Sequence, residues 1–122
     1  VLVFLLALGL AGCGSKFDKS ETFDVDSGSD HLILVDAPRS NQKVVTVTNT
    51  SGTPIDLYII QAGTDVGARE AIDKKSANIL ASKIKTADST VEATVPSGKE
   101  YVVAVVNNGA KKATVKITVT GR

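Results

Sequence analysis

The chain has 122 residues, 14 of them basic and 13 acidic for a formal charge of +1, and its aromatics amount to three Phe and two Tyr with no Trp. So even a balance carries no electrostatic footprint for nucleic acid, and so few aromatics leave no obvious stacking platform for bases or sugars. The single cysteine excludes a disulfide within the chain, and the length suits one compact domain rather than two.

Val1 to Leu10 is almost wholly apolar and runs into Leu10-Ala11-Gly12-Cys13, after which the chain changes abruptly to Gly14-Ser15-Lys16. An apolar run this short fits the core of a secretion signal, since a membrane-spanning helix needs about 20 such residues. The Leu-Ala-Gly-Cys stretch resembles a lipobox. That resemblance implies a bacterial lipoprotein, with residues 1–12 removed as signal peptide by cleavage between Gly12 and Cys13, and with lipid attached to Cys13 as the link to the membrane. The Met and basic segment that open such leaders are missing from the sequence, so the natural start is expected upstream. Gly14 follows the cysteine where Asp would favour inner-membrane retention, which by the same resemblance points to the outer membrane or the periplasmic face of the cell envelope.

From Cys13 to Asp30 the residues are small, polar and charged, and they read as a tether leading to a domain over 31–122. Phe23 and Val25 alternate only long enough to begin an edge strand. Asp24, Asp26 and Asp30 sit at spacings from which carboxylates can converge on calcium, a weak candidate. A calcium loop starting at Asp24 would need Gly at its sixth position and Glu at its twelfth, where Ser29 and Val35 stand, so a solvated linker is the favoured reading. His31 is the only histidine. No serine lies in a Gly-x-Ser-x-Gly turn to use it as a base, and no second histidine or further thiol completes a zinc site. No catalytic residue, no cofactor and no enzymatic activity are expected.

Beyond the tether, short runs rich in Val, Ile and Thr are separated by Gly, Asn, Pro and Ser, the pattern of an all-β domain. Leu32 to Val35 is the first clear strand. Lys43 to Thr48 alternates, and Asn49-Thr50-Ser51-Gly52-Thr53-Pro54 then reads as a turn; its sequon is set aside because a bacterial lipoprotein generally leaves such a site unmodified. Ile55 to Gln61 follows, with Ile55, Leu57 and Ile59 inward and Asp56 and Tyr58 outward.

The segment from Gly63 to Ile84 admits two readings. Ile72, Ile79, Leu80 and Ile84 have spacings that fit a helix face, yet Gly63, Gly67 and the polar run Asp73-Lys74-Lys75-Ser76 weaken a helix, so a loop over 63–76 and then a strand over 78–85 is favoured. Thr90 to Val95 alternates, with Val91, Ala93 and Val95 inward. Tyr101 to Val106 is apolar on both faces, as in a central strand covered on each side. Asn107-Asn108-Gly109 is a hairpin signal, and Lys112 to Thr120 is the last strand, with Val115, Ile117 and Val119 inward. The whole predicts an antiparallel β-sandwich of about seven strands, immunoglobulin-like or transthyretin-like.

Pro54-Ile55-Asp56-Leu57-Tyr58, Ala62-Gly63-Thr64-Asp65 and Val95-Pro96-Ser97-Gly98-Lys99-Glu100-Tyr101 occur in an order and spacing that resembles the bacterial envelope family called domain of unknown function 4397, over roughly residues 44–120. The resemblance implies a secreted or lipid-anchored β-sandwich and carries no catalytic residues with it. The basic pairs Lys74-Lys75 and Lys111-Lys112 are expected to serve solubility, or at most to brush anionic headgroups. The functional expectation is a lipid-anchored, non-enzymatic envelope protein whose sandwich meets another protein or supports the cell surface, with the loop over 63–76 as the contact. The alternative is a small-ligand or carbohydrate module, for which Tyr58 and Tyr101 would have to be exposed together.

Overall fold

The computed structural model describes residues 17–35, 45–96 and 98–121. The segment expected to be a signal peptide, Cys13 and the start of the strand expected at Lys43 lie outside them. In chain order the elements are β1 (Phe17–Val25), β2 (Asp30–Val35), β3 (Val45–Ile60), α1 (Asp65–Lys74), β4 (Ile79–Ala93), β5 (Tyr101–Val106) and β6 (Ala113–Gly121).

All strand pairs are antiparallel, and the pairing shows one long sheet doubled over. β3 pairs with β6 through residues 45–51 and with β5 through residues 56–60, while β4 runs along its other side for both stretches. β1 pairs with β6 and β2 pairs with β5 in the same way. One layer is therefore β1-β6-β3-β4 and the other β2-β5-β3-β4, and both are crossed by the same two long strands. The expected all-β antiparallel sandwich is the architecture found.

The doubling follows from the side-chain alternation. Val115, Ile117 and Val119 from the first layer and Leu57, Ile59, Val103 and Val105 from the second belong to a single buried cluster between the layers. Only a fold that closes one face of the sheet on itself removes both rows from water, at roughly 25 cal/mol for each Å² buried. The edge formed by β1 and β2 is closed by His31, whose ring stacks on Phe23 at 3.8 Å between centroids and whose Nε2 lies 3.0 Å from Glu21 Oε1.

Val102, Ala104 and Ile60 face the other way, and α1 covers them with Ala68 and Ala71. The loop favoured over 63–76 is thus a helix lying on the outer face of the second layer. Thr64 caps it by accepting Gly67 N–H at 3.0 Å, and Lys75 ends it in the left-handed region at φ 52. The strand expected over 78–85 is found as the first part of β4, which takes in Ile79, Leu80 and Ile84; the helix was passed over because Gly67 and the polar run after Asp73 weigh against one, and its buried face is made of small alanines.

Three further expectations are corrected. Residues 17–25, read as part of a tether, form β1, because Val25 is buried between the layers and the ladder to β6 satisfies the backbone of an otherwise polar segment. The turn expected over 49–54 does not reverse the chain: β3 runs through it, with the register shifting between Thr50 and Ile55. Pro54 falls in that break, where no ladder donor is needed. The expected final hairpin is absent as well. β5 and β6 lie end to end along β3, and β5 has β2 and β3 on its two sides. Asn107-Asn108-Gly109 begins the link by which the chain crosses from one layer to the other.

Candidate functional site

Where the doubled sheet folds, four passes of the chain turn the same corner, at 26–29, 52–55, 84–86 and 107–112. Turning a ladder costs backbone hydrogen bonds, and buried side chains replace them here. Asn107, 0% exposed, donates from Nδ2 to Val25 O at 2.9 Å and to Lys111 O at 2.7 Å, and its Oδ1 accepts Gly109 N–H at 3.0 Å. Its backbone N–H reaches Ser29 O at 2.9 Å, and its carbonyl accepts Gly28 N–H at 2.7 Å. Gly28 holds φ 77, a conformation that glycine adopts without strain.

Asp56 does the same work on the other two passes. Between Ile55 and Leu57 the partner strand β4 spends three steps, Thr86 to Lys83, against two on β3, and Lys85 takes up the extra residue at φ 53. The N–H of Lys85 is held by Asp56 Oδ1 at 2.9 Å, and Asp56 Oδ2 accepts from Asn108 Nδ2 at 2.7 Å. Asp56 was expected to face solvent by alternation; it is 6% exposed, because its carboxylate ties the bulge of β4 to the link between β5 and β6.

A cavity of about 380 Å³ opens at this corner. Its apolar wall includes Pro54 and Ala110, and Lys85, Lys111, Asp56 and Asn108 supply the polar groups. Neither lysine takes part in an ion pair among the described residues. Of the two basic pairs, Lys111 therefore contributes to the cavity while its neighbour Lys112 lies 3.8 Å from Asp24 Oδ2; Lys74 pairs with Glu70 within α1 at 3.5 Å.

The residues singled out from the sequence lie elsewhere. Asp24 accepts from Thr114 Oγ1 at 2.8 Å besides pairing with Lys112, and Asp30 holds Arg69 of α1 through two bonds of 3.0 and 3.1 Å. Asp26 lies in the turn, where its carbonyl accepts Ser29 N–H at 3.0 Å. Among the described residues no group of three His, Cys, Asp or Glu side chains is placed to hold a metal ion. His31 closes the sandwich edge beside Phe23 and Glu21. Tyr101 is 1% exposed inside the inter-layer core and Tyr58 is half-buried against the helix side, so the exposed aromatic pair required of a carbohydrate site does not form. Burial pushes the Tyr101 hydroxyl up to about 12 and raises Tyr58 in the same direction, with Asp56 adding to the latter. Among the described residues no helix is long and apolar enough to cross a membrane.

Sequence reasoning missed the corner because its residues are far apart in the chain. The one local signal was Asn107-Asn108-Gly109, read as a hairpin when it marked the layer crossing. No family model matches the chain, and no curated sequence does. Among solved structures the fold is similar to that of the Yersinia pseudotuberculosis-derived mitogen, with TM-score 0.59 and 12% identity over 85% of each chain. It is equally similar to PliG of Aeromonas hydrophila, a periplasmic lysozyme inhibitor of g-type lysozyme, with TM-score 0.59 and 11% identity over 94% of this chain and 93% of that one. At such identities the likeness is one of fold.

Proposed function

We propose that the chain is a lipid-anchored, non-enzymatic protein of the bacterial cell envelope, tied to the membrane through Cys13, and that its β-sandwich meets another protein at the folded corner. The observation that carries the contact is the corner itself. Four passes of the chain present their bends at one end, braced from within by Asn107 and Asp56, and rigidly held loops at the end of a sandwich are where such folds place recognition. The similarity in fold to a periplasmic inhibitor of g-type lysozyme, a protein whose target is another protein, supports this reading. The anchor rests on Leu10-Ala11-Gly12-Cys13 and the compositional break behind it.

Two measurements test the two halves. Expressed in a bacterial host with a Met and a basic segment added before Val1, the chain is expected to gain the mass of a lipid and fractionate with membranes, and Cys13→Ala to lose both; a soluble, unmodified wild-type product removes the anchor. For the contact, photo-cross-linking groups placed at Asn108 and Lys111 are compared in cells with one at Lys116, which lies on the exposed face of β6. A discrete cross-linked species from the corner alone is expected. Equal yields from Lys116, or none from the corner, would remove the protein partner.

A second reading, a small-ligand module, is favoured by the cavity and not by the tyrosines.

A further inference from the structure

The cavity at the corner has a charge that the bracing does not account for. Lys85 and Lys111 both line it, and neither ammonium is in an ion pair among the described residues. The acidic lining residue, Asp56, is already engaged at both oxygens, by the Lys85 N–H and by Asn108 Nδ2. Two lysines against one carboxylate leave one positive charge among the residues lining a pocket whose wall, with Pro54 and Ala110, is mainly apolar. The volume of about 380 Å³ lies within the usual range for small-molecule sites, about 300–1,000 Å³.

We propose that the corner cavity binds a small monoanion with an apolar body, of which a medium-chain carboxylate is the simplest representative. The apolar body fills the wall beside Pro54 and Ala110, and the anionic head lies between the ammonium groups of Lys85 and Lys111. The pocket is largely made before the ligand arrives, because the bends that form it are held by hydrogen bonds of the buried residues Asn107 and Asp56, so little ordering opposes binding. This inference rests on the reading of the corner as the recognition end, and it names the chemistry that end accepts; it needs no protein partner to be true.

The test is an amide-resolved NMR titration of the purified chain with octanoate, with 1-octanol as the same body without charge, and with acetate as the same charge without the body. Octanoate is expected to shift the amides of Lys85, Asn108, Gly109 and Lys111 saturably, to bind about tenfold more tightly than octanol, and to leave acetate without saturable effect. Lys85→Gln and Lys111→Gln are each expected to weaken octanoate about threefold to tenfold, the scale of a partly exposed charge contact, and to leave octanol unchanged. Both side chains are exposed, and the hydrogen bond of Lys85 to Asp56 is made by its backbone, so both variants keep the corner. Equal binding of octanoate and octanol, saturable acetate binding as tight as octanoate, indifference to both lysine substitutions, or shifts confined to residues away from the corner would each overturn the proposal. Octanoate binding without corner cross-links would remove the protein partner and keep the pocket, and cross-links without octanoate binding would do the reverse.

Discussion

Tyr101 is predicted to make this protein lose stability in alkali. It opens β5 with 1% of its surface exposed, and its hydroxyl finds no hydrogen-bond partner among the described residues. Burial disfavours the phenolate and pushes the hydroxyl up to about 12, against about 10 for a solvated tyrosine. Because the folded value lies above the unfolded one, the unfolded chain releases this proton first. The contribution is whole below about pH 10, declines as pH rises, and is fully lost only above about pH 12. A difference of about two pKa units corresponds to about 2.7 kcal/mol in total, and to about 1.4 kcal/mol by about pH 11. Urea unfolding of the wild type and Tyr101→Phe at about pH 8 and about pH 11 reads this directly, and Tyr58, raised in the same direction, is common to both proteins and cancels. Wild type is expected to lose about 1.4 kcal/mol more than the variant over that interval. At neutral pH the substitution is expected to change stability by no more than about 1 kcal/mol, since a buried hydroxyl without a partner contributes nothing when removed. Parallel alkaline losses in the two proteins would show that the hydroxyl ionises as readily in the folded chain as in the unfolded one, a cost above about 2 kcal/mol at neutral pH would show that it is hydrogen-bonded, and either would refute the reasoning.

Three other perturbations probe the fold and its corner. Asn107→Ala strips Val25 O, Lys111 O and Gly109 N–H of their partner at a buried position, and denaturant unfolding is expected to show a loss of about 2–4 kcal/mol, with faster amide exchange at Gly109. Leu57→Ala empties a site that is 0% exposed between the layers, for a loss of about 2–5 kcal/mol in the same assay; a cost under about 1 kcal/mol would mean that the layers do not close there. At Gly28 an added Cβ meets nothing within 4 Å, so Gly28→Ala isolates the cost of φ 77, expected at about 1–2 kcal/mol by thermal or denaturant unfolding.

Much of the secondary structure was legible because period-two alternation is a local property. Val91 and Val95, and again Val115, Ile117 and Val119, face the core as their spacing requires, and Tyr101 to Val106 reads as covered on both faces, as it is. The helix was harder. Its buried face is Ala68 and Ala71, too small to register as an apolar stripe, and its N-terminal signal is the single hydroxyl of Thr64. β1 was legible only in the brief alternation of Phe23 and Val25, which turn to the core; its backbone is held along its length by the ladder to β6, to which side-chain pattern gives no clue.

By itself the sequence determined the class of the domain, since alternating Val, Ile and Thr runs can bury their apolar rows only in stacked sheets. It also determined the expectation of an envelope address, carried by Leu10-Ala11-Gly12-Cys13. Which strand lies beside which was decided only by the tertiary structure. Pairing is made by backbone groups that are the same at every residue, so the hairpin suggested by Asn107-Asn108-Gly109 and the end-to-end crossing actually adopted are alike in local pattern. The crossing prevails because it lets one long sheet close both halves over a single core. The same closure brings Pro54, Asp56, Lys85 and Lys111 to one corner from distant parts of the chain, and no spacing along the sequence encodes that meeting.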